Sequence, residues 1–223
     1  ADPTNPYGAV FDMVVNPVDS NKIYIARGYG GGIWRTTNSG SSWQILGNGI
    51  TFLDGNVGQT TALDISASNP SVLYAAFSTA TDSIRGIYKT ADGGDHWFPT
   101  PTPPPVYSRM GQSAHVNVIR IHPTKPDVVY AGSVWFVRTT NGGISWDTPA
   151  RGHDDLTMID FLPGDPGTVY IGNDGGLYKL DSATNVVYNA NEMFTPGCMI
   201  QSYGFDAGES ESNFLVSGTQ DNG

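Results

Sequence analysis

Three stretches of this chain repeat one pattern. GGIWRTTNSGSSW (Gly31–Trp43), RGIYKTADGGDHW (Arg85–Trp97) and WFVRTTNGGISW (Trp135–Trp146) each pass through an apolar or aromatic segment and a basic residue into T-x-(N/D)-x-G-x-x-W. The threonines are Thr36, Thr90 and Thr139, and the Asn/Asp positions are Asn38, Asp92 and Asn141. The glycines are Gly40, Gly94 and Gly143, and the tryptophans Trp43, Trp97 and Trp146. Such a repeat constrains the fold more than composition can. Every copy must build the same small unit, and a unit this small buries its apolar face only against its neighbours.

A second element precedes each copy. Phe11–Ala26, Thr61–Ala76 and Val116–Gly132 each read as a strand, a Pro-containing turn and a second strand with a Tyr near its end. Pro17, Pro70 and Pro123 are spaced by 53 residues, and Pro163 follows 40 later. Thr157–Asp181 is a fourth copy, and Gln201–Gly223 begins a fifth. In KIYIA, Ile23 and Ile25 share one face and Tyr24 takes the other, the period of a strand. Helical periodicity is absent, and the 28 Gly and 15 Pro punctuate too often for long helices. Four short strands per 40–50 residues is the period of a propeller blade. The expectation is an all-β β-propeller of four-stranded antiparallel blades. About five are represented, roughly 9–47, 60–100, 115–149, 155–190 and 199–223, the last incomplete.

The motif copies resemble Asp-boxes, the bacterial neuraminidase repeats with signature S/T-x-D-x-G-x-x-W. Nearly the whole chain takes part in the resemblance, which points to secreted propellers such as the sortilin ectodomain and the two-propeller xyloglucanases. LPGDPGTVYIGNDGGLYK in the fourth copy also fits the P-x-x-P-x-x-VY-x-G-x-x-x-GG-(I/L)-Y-(R/K) pattern of that group, but Leu180–Val187 lacks an Asp-box. The resemblance implies a structural role for the boxes, at the turn between third and fourth strands. The chemistry agrees: Asn or Asp bonds turn amides, Gly takes a positive φ, and Trp packs between blades. A calcium loop at Asp92 and Asp95 lacks evident partner oxygens. Seven blades are the family expectation, so the chain reads as part of a longer chain or of a larger assembly.

The excess of 21 acidic over 11 basic residues, net charge −10, disfavours nucleic acid. No apolar run reaches the length of a membrane span, so membrane insertion is not expected. A single cysteine, Cys198, rules out an intrachain disulfide and has no evident His partner. No signal peptide is visible, and ADPTNP suits a mature or trimmed start. Low charge with many Asn, Ser, Thr and Gly suggests an extracellular or cell-surface protein, with the periplasm compatible.

If the boxes mark one end of the propeller, chemistry belongs at the other. That end carries RGHDDL, with Arg151, His153, Asp154 and Asp155, then GNDGG with Asp174 and GTQDNG with Gln220 and Asp221. Arg27, Tyr29, His115 and Trp135 fall on the same set of loops. The binding candidates are therefore His153, Asp154, Asp155, Asp174, Gln220, Asp221, Arg27, Tyr29 and His115. Asp174 and Asp221 stand in glycine-bearing turns and also suit a purely local role. His153, Asp155 and Asp174 lack recognised metal-ligand spacing, so no metal and no cofactor is expected.

The leading reading is a binding module for a protein or polysaccharide. The alternative is a glycoside hydrolase of the xyloglucanase-like type, which needs two carboxylates flanking the scissile bond. Asp155 with Asp174 or Asp221 is the best pair. In the enzymes that the resemblance implies, one catalytic Asp lies in a T-D-x-GG-x-Y-R loop of the first blade. Ala26–Arg35 is the matching stretch and has no Asp, while Asp174 holds that place in the fourth. Sialidase chemistry lacks a visible arginine triad. A third reading is a structural subunit of an extracellular assembly.

Overall fold

Alternating apolar residues broken by Asn-Pro, His-Pro and Gly turns fold here into a series of small sheets. The computed structural model describes residues 9–28, 32–50, 59–78, 84–101, 118–191, 202–207 and 215–219, with backbone alone at 59–61, 84–85 and the last two segments. The first sheet is β1 (Val10–Val15), β2 (Ile23–Arg27), β3 (Gly32–Thr36) and β4 (Gln44–Leu46). The second is β5 (Gln59–Ile65), β6 (Leu73–Ser78), β7 (Ile84–Thr90) and β8 (Phe98–Pro99). The third is β9 (Val118–Ile121), β10 (Val129–Gly132) and β11 (Phe136–Thr139), and a single Arg138–Asp147 bridge stands where a fourth strand would. The fourth is β12 (Leu156–Leu162), β13 (Asp165–Asn173), β14 (Gly176–Asp181) and β15 (Val186–Asn189). A two-stranded fifth holds β16 (Ser202–Ala207) and β17 (Leu215–Thr219).

Strands pair in chain order and antiparallel within each sheet. The first strands lie side by side in the order β1, β5, β9, β12, β16, so the sheets fan around an axis. This is the all-β propeller arrangement that the repeat predicts, with five sheets of an incomplete ring. Among the described residues there is no α-helix, and no helix long and apolar enough to cross a membrane.

The register corrects one detail. Asn16 N donates to Lys22 O, Ser66 N to Val72 O and His122 N to Val128 O, closing equivalent turns. Pro17 thus corresponds to Ala67 and Pro123, while Pro70 corresponds to Ser20 and Pro126. The 53-residue proline spacing is not the structural repeat; the tyrosines Tyr24, Tyr74, Tyr130 and Tyr170 mark it. Equivalent side chains cap the turns: Asn16 Oδ1 accepts from the Asp19 amide, Ser66 Oγ from Asn69 and His122 Nδ1 from Thr124. His122 is buried against Phe161, and burial followed by the charge of Lys125 holds its pKa below the usual value.

The core sits in the joints between sheets. Tyr24, Ala26, Ile33 and Leu46 pack against Leu63, Leu73, Ala75, Phe77, Tyr88 and Trp97 of the second sheet. Tyr74, Ala76 and Ile87 meet Ile119, Ile121, Val129, Ala131 and Val137 of the third, with Trp146 against them. Tyr130 and Phe136 meet Ile159, Phe161, Val169 and Ile171 of the fourth. Each large apolar side chain fully buried in this way contributes about 1.5–3 kcal/mol.

The three motif turns are superimposable in their bonding. Thr36 Oγ1 donates to Asn38 Oδ1 (2.9 Å) and accepts from the Gly40 amide (2.9 Å), and Asn38 Oδ1 accepts from Ser42 N (2.9 Å). Thr90, Asp92, Gly94 and His96 repeat the set, as do Thr139, Asn141, Gly143 and Ser145. Gly94 has φ +96° and lies so near Leu46 that a Cβ would sit 2.6 Å from its Cδ1, which explains the glycine.

Asp95 does more than its variation between copies suggests. Arg35 reaches from the first sheet to Asp95 (2.9 Å) and to the Gly93 carbonyl (2.9 Å), where the Tyr24 hydroxyl also donates (3.0 Å). Lys89 makes the corresponding reach to Asp127 (3.1 Å) in the third sheet. The fourth hairpin, which lacks the motif, instead uses Asp181 Oδ1 to cap the amides of Ala183 and Thr184.

Candidate functional site

In an up-and-down sheet the β1–β2 and β3–β4 turns share one end, so the motif turns and the Pro turns lie together. The opposite end holds the β10–β11 and β13–β14 turns and the linkers between sheets. The linker 148–155 enters the fourth sheet there, beside the tight turn Asp174–Gly175.

Asn173 is buried and ties the two loops together. Its Nδ2 donates to the His153 carbonyl (3.2 Å) and its Oδ1 accepts from the Gly175 amide (3.0 Å). A Cβ on Gly175 would fall 2.7 Å from His153 Cβ, so the glycine lets the loops touch. Asn191 closes the far side, accepting from Leu177 N (2.7 Å) and donating to Gly175 O (2.8 Å). Asp155 is held at φ +58°, a left-handed conformation unusual for a non-glycine residue. Its amide donates to Val134 O (3.2 Å), linking the loop to the third sheet.

The site is mainly acidic. Asp154 Oδ1 accepts from Arg151 Nε (2.6 Å), and the Arg151 guanidinium stacks 4.0 Å from the centroid of Trp135. Arg151 is thus occupied locally. His153 Nδ1 lies 3.1 Å from the Asp154 carbonyl, which can only accept, so the neutral ring keeps Nε2 as its acceptor. Burial, then the negative charges of Asp174 and Asp154, push the Asp155 carboxyl above its usual pKa, with His153 pulling the other way. A cavity of about 410 Å³ opens among Pro149, Ala150, Arg151, Gly152, His153 and Asp154.

His153, Asp154, Asp155 and Asp174 are thereby brought together. Arg27, in contrast, stacks over Trp34 of its own sheet at 5.4 Å. Tyr29, His115, Gln220 and Asp221 lie outside the described residues, as does Cys198. Among the described residues no three metal-ligating side chains gather.

Sequence reasoning overlooked Asn173 and Asn191, whose signal was an Asn in each of two turn segments, GNDGG and NANEM. It also overlooked the channel wall at the motif end. A cavity of about 570 Å³ there is lined by Asp64, Arg120 and Asp160, the charged positions of the first strands β5, β9 and β12. Asp64 Oδ2 accepts from Ile121 N (2.6 Å) across the joint. Burial raises its pKa to about 6 against the opposing charge of Arg120 and the two backbone hydrogen bonds, with Asp12 adding to the rise.

No protein-family model and no curated protein matches this chain. Solved structures do. An ancestral GH74 enzyme aligns with TM-score 0.74 at 16% identity, covering 96% of this chain and 29% of its own. The GH74 xyloglucanase from Xanthomonas campestris aligns with TM-score 0.54 at 15% identity, over 96% of this chain and 42% of its own. YCF48 bound to a D1 peptide aligns with TM-score 0.58 at 12% identity, over 89% and 58%. At these identities the likeness establishes the propeller fold. The chain spans less than two thirds of each of these structures.

Proposed function

We propose that this chain belongs to a secreted or surface-exposed Asp-box propeller that binds a protein or glycan on the face opposite the motif turns. The carrying observation is the cluster at the head of the fourth sheet. Asp154, Asp155, Asp174 and His153 are non-repeated, polar and gathered on a frame fixed by buried Asn173. Carboxylates in such a frame accept hydrogen bonds from sugar hydroxyls or from the cationic groups of a partner. The three regular motif turns support the Asp-box reading. Part of a larger ring or extracellular assembly is the architecture this reading implies.

The test is titration calorimetry against neutral plant and bacterial polysaccharides and against lysine-rich peptides. The double variant Asp155→Asn, Asp174→Asn is expected to weaken the bound class by tenfold or more, while Asp95→Asn on the motif face leaves binding intact. Equal affinity in all three proteins would exclude this site.

A glycoside hydrolase is the second reading, favoured by one observation. Asp155 carries a raised pKa beside a second carboxylate, which is what a general acid requires. Release of reducing ends from xyloglucan that is abolished by Asp155→Asn or Asp174→Asn would establish it. Binding without release would dismiss it.

A further inference from the structure

The first strands carry one position that the blade leaves free. It is the residue paired with the joint tyrosine: Val14 with Tyr24, Asp64 with Tyr74, Arg120 with Tyr130 and Asp160 with Tyr170. Val14 packs against its joint as an ordinary apolar side chain. An aliphatic residue is therefore enough to build a joint, and the three charges depart from what the repeat needs. Withdrawing charges from water is costly, so their presence calls for a use.

Asp64 has a partial one. It accepts from the Ile121 amide across the joint (2.6 Å) and from the neighbouring Ile65 amide. A carboxylate offers about four lone-pair sites, so acceptor capacity remains. Arg120 has less to do. Among the described residues it donates only from Nη1 to the carbonyl of adjacent Ile119 (3.1 Å), and it enters no ion pair. Its charge offsets those of Asp64 and Asp12 from beyond contact distance. Most of its N–H donors are left unused by the protein. Asp64, Arg120 and Asp160 stand on neighbouring first strands and line the cavity of about 570 Å³ at the motif end. The walls beside them are apolar: Ile65, Pro123, Leu162, Pro163 and Pro166. Small-molecule sites share this size and make-up, mostly apolar with a few convergent polar groups.

We infer that this channel mouth is a second binding site, and that it takes a neutral polyhydroxyl ligand, a sugar of one or two rings. A hydroxyl both donates and accepts, so it satisfies a guanidinium and a carboxylate together. The C–H face of a sugar ring packs on the proline wall. Two carboxylates repel an anion, and Arg120 repels an ammonium. The mouth lies at the motif end, away from the fourth-sheet cluster, and is independent of the ligand reading for that cluster.

The experiment follows amide NMR spectra of the natural full-length protein titrated with xylose, glucose or cellobiose, and with glucosamine and glucuronate as charged counterparts. Saturable shifts are expected at Ile121, Thr124 and Gly164 with a neutral sugar, and affinity lower by tenfold or more for the charged pair. Arg120→Met should weaken the neutral sugar by tenfold or more. The double variant Asp155→Asn, Asp174→Asn should leave the shifts unchanged. The Arg120 Nε–H resonance supplies a reading free of any variant: it moves on saturation. No saturable shift with any neutral sugar, tighter binding of a charged analogue, undiminished affinity in Arg120→Met or a stationary Nε–H resonance overturns the inference. Shifts confined to Gly152 and Gly175 overturn it too, while leaving the fourth-sheet reading standing.

Discussion

The two ends of this propeller are built by opposite rules. At the motif end, three turns use the same three side-chain and backbone bonds, whether the acceptor is Asn38, Asp92 or Asn141. At the loop end, the fourth sheet carries a loop made once, strained at Asp155 and held by Asn173. Their carboxylates differ accordingly. At Asp92 slight burial pulls upward, but the His96 amide, the Thr90 hydroxyl and the His96 ring together hold it at about 2. Asp155 is pushed up by burial and by Asp174 and Asp154. Repetition marks what the fold requires, and departure from it marks where chemistry is worth seeking.

The largest expected effect tests whether a motif tryptophan matters through its turn or through its joint. Trp97→Ala should cost about 3–5 kcal/mol in urea unfolding, the range for a buried aromatic. Trp43→Ala should cost less than half of that in the isolated chain, where Trp43 is half-buried. Equal losses would place the contribution in the turn.

Next comes the channel wall. Asp64 has a folded pKa of about 6 against 3.8 in its reference state. The native state binds this proton more tightly, so stability falls as pH rises from about 4 to about 6, by on the order of 2–3 kcal/mol. Asp64→Asn should flatten that part of the pH–stability curve; an unchanged slope would show that the carboxylate is ionised at no cost.

Asn173→Ala should cost about 1 kcal/mol, because it removes the hydrogen bonds to the half-buried Gly175 amide and to the His153 carbonyl. It should also lower affinity for any ligand of the fourth-sheet cluster. Loss of stability with affinity unchanged would separate the frame from the site. In carboxyl NMR titrations, Asp174→Asn should bring the Asp155 midpoint down toward the ordinary range. A midpoint that stays put would leave burial and Asp154 as the causes. The smallest effect belongs to Asp95→Ala, which removes a mostly exposed partner of Arg35. The loss should stay under about 1 kcal/mol by thermal melting.

How much of this was legible beforehand depends on how far apart the interacting residues lie. The motif turns were readable because Thr, Asn/Asp and Gly act on one another within four residues, so spacing alone fixes the bonds. The gathering of His153, Asp154, Asp155 and Asp174 was anticipated because two loops of one sheet must meet at one end. Asn173 was not, since only burial distinguishes a framing amide from an ordinary turn residue. The proline spacing misled because turns tolerate Pro at more than one position, whereas the tyrosines must each fill a joint.

The sequence by itself determined the repeat, its strand order and its turn chemistry, all governed by local periodicity and short-range hydrogen bonds. Only the tertiary structure decided that Arg35 meets Asp95, that Asp64 loses part of its solvent and that Met13 stands open where its counterparts are buried. Those outcomes depend on which sheet lies against which, and residues 50 or more apart in the chain carry no local trace of it.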